Sequence, residues 1–304
     1  MIALTLAIGV EADAVVRTLK PETRLRQAVR VDDIRRGEHR FSVAGTGRVF
    51  TTFTGLKREL RPFCRLDGEV LGGVDIRCIH PSLLASIMRH SGEDVPSYIQ
   101  GWLRCVEGKD AATLRASGYP GLLAALSRSA PSRGPDAELY EKLALAGPGE
   151  QDVYEYLADA CAAEGIDVLT EAMRPTKRVR VSVPSTARDA AKVCHMRYMV
   201  ALPGSYRPPF AWVFEKCFPS VFACATFVNR LGAGELIRVL QRVESIIVIE
   251  QVAPRLVRQG VGFLTLHDAI WAGEKDVPAV VDAFNAVFGD IGVSLKLKVE
   301  GTKA

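Results

Sequence analysis

Two isolated acids and one cationic helix carry the chemistry for which this sequence can be read. Asp75 lies near the end of an apolar run, Val70–Ile76, whose core reads LGGVDI. Asp268 sits in VGFLTLHDAIW at 261–271, where Val261, Phe263 and Thr265 alternate into the polar pair His267-Asp268 and Ala269-Ile270-Trp271 follows. That pattern predicts strand, tight turn, strand, with the acid at the turn. A carboxylate held at the tip of a buried hairpin is costly to desolvate unless a cation meets it there. Between the two acids, Arg188 and Lys192 stand four residues apart on a predicted helix, Arg188–Val200, with His195 or Met196 one turn further on. Ser185 or Thr186 caps that helix, and Asp189 completes a capping-box-like pattern. Two carboxylates on adjacent strands can hold a pair of divalent ions roughly 3.5–4 Å apart. Cations on a neighbouring element can grip phosphate oxygens. Phosphoryl transfer from a nucleoside triphosphate needs these parts.

The elements that must position these residues can be read along the chain. The first 40 residues look helical and basic, with Lys20, Arg24, Arg26, Arg30, Arg35 and Arg36. Phe41–Leu60 is β-rich, with Gly45 and Gly47 loosening the backbone. Asp67-Gly68 marks a turn, and His80-Pro81-Ser82 opens a helix that Ser82 can cap. Residues 106–150 hold the least structure-specific sequence, with a Ser/Arg/Pro/Gly loop at Ser127–Pro135. A helix at Asp152–Glu164 is followed by a basic patch at Arg174, Lys177, Arg178 and Arg180. The last third reads as a long helix Leu236–Arg258 bent at Pro254, the hairpin, a helix Val277–Phe288 and an alternating strand Val293–Val299 with Lys296 and Lys298 facing out. Helix, hairpin, helix, strand packs as an antiparallel sheet backed by helices, an α+β fold.

With 304 residues, 48% hydrophobic and 24% charged, the chain is long enough for one large or two small globular domains. Its seven cysteines show no C-x-x-C and no His at ligand spacing, which argues against a zinc site and for free thiols in a reducing compartment. The apolar run Ile2–Val10 is too short to cross a bilayer and has no basic lead, so the expected location is cytoplasmic, with no membrane partner. Net charge is only +4, so a nucleic-acid partner would be held by a local groove and not by a global field.

In this order the parts resemble the family A DNA polymerases and the phage-type single-subunit RNA polymerases, over residues 41–105 and 152–304. Thr46-Gly47-Arg48 with Leu56 resembles the T-G-R…N-L-Q segment along the primer–template duplex, Gly55 and Lys57 replacing the Asn and Gln. Asp75-Ile76-Arg77-Cys78-Ile79-His80 resembles motif A, Arg188-x3-Lys192-x3-Met196 the fingers helix, and His267-Asp268 motif C. Gln241 stands where the family has a Gln near the duplex minor groove.

The resemblance implies a minimal palm with a small, mainly helical fingers insertion. Its parts would be an N-terminal helical segment or rudimentary thumb at 1–40, palm at 41–105, insertion and fingers at 106–234, and palm again at 235–304. It implies DNA-directed DNA polymerase activity with two Mg²⁺ ions, for which Mn²⁺ can substitute, on Asp75 and Asp268. Lys192 would be catalytic with the two acids, and Arg188, Lys192, Met196 and His80 would bind the incoming nucleotide. Arg48, Lys57, Arg58, Gln241 and His267 would bind primer–template. Nucleoside triphosphates and primer–template are the implied partners, with a processivity or DNA-holding protein to compensate for the small thumb. Three departures stand out: Val200-Ala201 replaces the Tyr-Gly pair of the fingers, Met196 is nearer the RNA enzymes, and His80 replaces the Glu that excludes a ribose 2′-hydroxyl. An RNA polymerase or primase-like activity, or an inactive nucleic-acid-binding palm, are the alternatives. A hydrolase built on His267-Asp268 lacks any G-x-S-x-G elbow.

Overall fold

The computed structural model describes residues 5–89, 135–174, 183–201, 208–229, 233–291 and 294–301. The basic residues Lys177, Arg178 and Arg180 and the loop at 127–134 lie outside them. The chain is a mixture of helix and antiparallel sheet, and it forms two compact units, Met1–Ile79 with Gln241–Ala304, and His80–Leu240.

The first unit is built on an antiparallel sheet in the order β1-β4-β5-β7-β6, with β8 also paired to β5. The strands are β1 (Leu6–Ile8), β4 (Cys64–Leu66), β5 (Glu69–Ile76), β6 (Phe263–Leu266), β7 (Ala269–Gly273) and β8 (Leu297–Gly301). A separate two-stranded ribbon joins β2 (Phe41–Val43) to β3 (Val49–Thr51). Residues 1–40 were expected to be helical throughout. Two helices are there, α1 (Ala12–Thr18) and α2 (Pro21–Arg35), but Leu6 and Ile8 bury alternate side chains and add β1 to the sheet edge. Asp67 (φ 50°) and Gly68 (φ 82°) are both left-handed, the geometry of a two-residue hairpin turn, and they close β4 onto β5.

β5 explains the sequence LGGVD. Its register against β7 pairs Gly72 with Ala272, Gly73 with Trp271 and Asp75 with Ala269. Side chains alternate, so Gly72, Val74 and Ile76 share one face while Gly73 and Asp75 share the other. On the first face a Cβ at Gly72 would lie 2.5 Å from a methyl of Val277, the first residue of the helix Val277–Ile291 that carries the buried Val280 and Phe284. On the second face a Cβ at Gly73 would lie 2.8 Å from the Trp271 indole. Trp271 in turn joins the core that Val31, Ile34, Phe53, Leu60 and Leu71 make beneath α1 and α2. Adjacent glycines are therefore required because something approaches closely from each side.

Other expectations shift for local reasons. The helical run before the hairpin is Glu235–Ser245, a π-helical stretch Ile246–Val252 and Ala253–Arg258. Pro254 has no N–H to give, and the Ala253 N–H reaches back five residues to Val248 O, so the register change absorbs the proline without a break. The last strand begins at Leu297, later than the alternation at 293 suggests, and Val299 is 55% exposed.

The second unit is helical. Pro135–Ala144, inside a stretch that offers little sequence pattern, is a helix with Tyr140 fully buried. Asp152 caps Val153–Ala163 in a reciprocal capping box with Glu155, and Thr186 caps Ala187–Met199 by accepting from the Asp189 N–H. Ser82 donates to Ala144 O at 2.9 Å. His195 packs against Tyr140, Tyr154 and Phe214, and complete burial takes its pKa down to about 3, so it is a neutral core residue.

Gly72→Ala should destabilise the protein by about 2 kcal/mol through overpacking against Val277, measured as a lowered urea midpoint. Pairing it with Val277→Ala should recover part of the loss.

Candidate active-site cleft

The hairpin turn between β6 and β7 consists of His267 and Asp268, with His267 in the left-handed region at φ 57°. Because β7 is laddered to β5, this turn arrives beside the end of β5, where the Ile76 N–H donates to Asp268 O at 3.3 Å. The two aspartates thus reach one place from opposite ends of the sequence. Both line a cleft of about 270 Å³, together with Arg58, Arg61, Gly73, Leu266, His267, Ala269, Trp271 and Glu300. The front face of the sheet reads as two rows across four strands: Leu266, Ala269, Asp75 and Lys298, then Leu264, Trp271, Gly73 and Glu300. Lys298 therefore does not simply point away from the sheet's working face; it sits directly opposite Asp75.

Cations flank the acids. Glu300 Oε1 accepts from Lys298 Nζ at 2.5 Å and lies 3.5 Å from an Arg58 nitrogen. Burial works against the Glu300 carboxylate, but Lys298, Arg58 and Arg61 together hold it below the usual range. Arg61 donates to Leu56 O at 3.2 Å and lies over the Phe53 ring, while its Nε has no acceptor among the described residues. Burial first, and then the charge of Arg58, make the Arg61 cation harder to keep.

Arg48, at the end of the T-G-R segment, makes a two-pronged pair with the fully buried Glu244, at 2.8 and 2.5 Å. Gly47, at φ 81°, lets the loop between β2 and β3 lie against Arg242 and Ser245 of the same helix. Phe50 meets His267 edge-on at 5.2 Å. His267 is pushed down from the ordinary imidazole value by burial and then by Arg48, with Glu244 opposing, so it stays neutral in the neutral range. Lys57 is exposed, its N–H held by Gln27 Oε1, and Gln241 accepts from Ser245 through its backbone carbonyl.

In the second unit, Arg188, Lys192 and Met196 share the helix Ala187–Met199. Arg188 donates to Asp152 Oδ2 at 2.9 and 2.5 Å, and Lys192 lies 5.9 Å over the Tyr154 ring. His80 is half-buried in the first turn of the helix Ile79–Arg89, and its charge adds to the lowering of His195.

The donor set suits a hard divalent cation. Mg²⁺ retains several waters and is commonly held by one or two carboxylates plus substrate phosphates. Two aspartates in an open cleft match that, and among the described residues no group of three or more His, Cys, Asp or Glu forms a closed cage.

Four residues of this neighbourhood escaped the sequence reading: Arg61, Glu244, Trp271 and Glu300. Glu244 is one turn from Gln241 on a strongly amphipathic helix, a buried acid in an apolar stripe. Trp271 and Glu300 follow from strand alternation once the register is fixed. Nothing local marks Arg61.

No protein-family model matches this chain, and no curated protein matches it. Among solved structures, the POL domain of Pol1 from M. smegmatis, in complex with DNA primer-template and dNTP, is similar over 92% of this chain at TM-score 0.42 and 14% identity. The chain covers 52% of that structure's chain, about half its length. No helix among the described residues is long and apolar enough to cross a membrane.

The Arg48–Glu244 pair has a measurable consequence. Glu244→Ala leaves a guanidinium that is only 15% exposed without this partner and should cost about 3 kcal/mol of stability. In a double-mutant cycle, Arg48→Ala with Glu244→Ala should cost less than the sum of the single changes, as read by urea denaturation.

Proposed function

We propose that the protein adds nucleotides to the 3′ end of a primer under template direction, as a minimal DNA polymerase. The observation that supports this most is the convergence of Asp75 and Asp268 on one cleft through the β5–β7 ladder. Asp75 and Asp268 hold divalent cations, Mg²⁺ or Mn²⁺, which when bound stabilise an attacking 3′ oxygen and a leaving pyrophosphate. The chain's own residues do the rest. Neutral His267, edge-on to Phe50 and within the field of the Arg48–Glu244 pair, fixes the turn that presents Asp268. Arg48 orders the loop that follows β2, and with Lys57, Arg58 and Gln241 it serves the primer–template. Arg188, Lys192 and Met196 receive the nucleotide, and His80 crowds its sugar so that deoxynucleotides are preferred.

A second reading, a nucleic-acid-binding palm that no longer catalyses, draws on Arg188 and Lys192. Arg188 is bound to Asp152 and Lys192 rests on Tyr154, so both have engagements within their own unit.

A primer-extension gel separates the two readings. With dNTPs and Mg²⁺ or Mn²⁺, the wild-type chain should lengthen a primer, rNTPs should serve less well, and Asp268→Ala should reduce extension by at least about 10³-fold. Primer binding without extension under either metal favours the non-catalytic reading. Extension that persists in Asp268→Ala removes Asp268 from the chemistry.

A further inference from the structure

Positive charge gathers on one side of the cleft. Arg58 and Lys298 both meet the carboxylate of Glu300, and Arg61 adds its charge to the field there. In the sheet register Lys298 is the neighbour of Asp75 and Glu300 the neighbour of Gly73, so this cluster borders the aspartates on the same face. Two of its members are not locked in. Arg58 is 78% exposed and Lys298 48%, and exposed ion pairs of this kind contribute little, about 0–1 kcal/mol. Arg61 retains an Nε without an acceptor among the described residues. A guanidinium fork matches the oxygens of a phosphate better than one carboxylate oxygen shared with a second cation.

We propose that Arg58, Arg61 and Lys298 form a phosphate subsite beside Asp75 and Asp268, and that Glu300 is its internal occupant, an acid that an incoming phosphate group displaces. The proposal rests on the reading of the cleft as a nucleotide and nucleic-acid site, and it adds a regulating acid to it. Glu300 weakens phosphate binding in the resting protein and keeps three like charges from repelling one another when the cleft holds no ligand. The phosphate can come from an oligonucleotide backbone or from a nucleoside triphosphate; the chemistry of recognition is the same.

The test is equilibrium binding, in EDTA so that no divalent ion takes part. Fluorescence anisotropy follows a labelled primer–template and, separately, a labelled nucleoside triphosphate. Glu300→Gln keeps the shape and removes the charge, and should bind at least one of the two probes about fivefold more tightly. Arg61→Gln should weaken binding of that probe, and the double variant should lose the gain. Glu300→Asp, which keeps a carboxylate on the strand, should behave nearly as wild type. A gain for the primer–template alone assigns the subsite to a phosphodiester, and a gain for the triphosphate alone assigns it to the nucleotide. Equal or weaker binding of both probes by Glu300→Gln overturns the proposal. So does a lowered Tm with no gain, which would make Glu300 a latch for β8, and so does failure of wild type and Glu300→Gln alike to bind either probe. None of these titrations reads primer extension, so a chain that binds but does not catalyse would leave the subsite standing and remove only the catalytic reading.

Discussion

The ladder between Leu71–Asp75 and Ala269–Gly273 is the interaction on which the rest depends. It joins two segments from opposite ends of the chain, and every other feature of the cleft takes its position from it. The ladder brings the His267-Asp268 turn beside the end of β5 and sets Trp271 over Gly73. With β8 on β5 as well, Lys298 and Glu300 fall into line with Asp75 and Gly73. A one-residue slip would send Asp75 to the face covered by the helix Val277–Ile291 and turn Val74 toward the cleft. The two adjacent glycines guard against that, since each is fitted to a different neighbour on a different face.

Electrostatics then divides the cleft. Asp75 and Asp268 supply negative charge near the turn, while Lys298 and Arg58 meet Glu300 and Arg61 adds its charge there. Behind the turn, Arg48 and the buried Glu244 form a pair whose net effect on His267 is to hold it neutral, in concert with burial. A neutral imidazole at the tip leaves the field there to the carboxylates. The cleft is thus acidic at the turn and cationic around Glu300.

Much of this was legible in the residues. The hairpin, the strand carrying Asp75 and the helix carrying Arg188 and Lys192 follow from periodicity and capping alone, and the structure has each where the pattern puts it. What could not be read was anything that depends on register between distant strands. Trp271 reads as one more apolar strand residue and Lys298 as a solvent-facing one, and Glu300 lies just past the strand read at Val293–Val299. Each acquires a role only when β7 and β8 are laid against β5. Arg48 shows another gap: the T-G-R resemblance implies a contact with the duplex, but nothing in the sequence marks its pairing with Glu244, an acid far along the chain. The strand at Leu6–Ile8 was hidden because three residues cannot display a period.

The central claim is that Asp75 and Asp268 together hold divalent cations. Titrating Mn²⁺ into the protein and following the free-ion signal by electron paramagnetic resonance tests it directly. The account predicts that the wild-type chain depletes the free signal, and that Asp75→Asn and Asp268→Asn each restore most of it while the folded far-UV circular dichroism is unchanged. Binding that is the same in wild type and in both variants would contradict it.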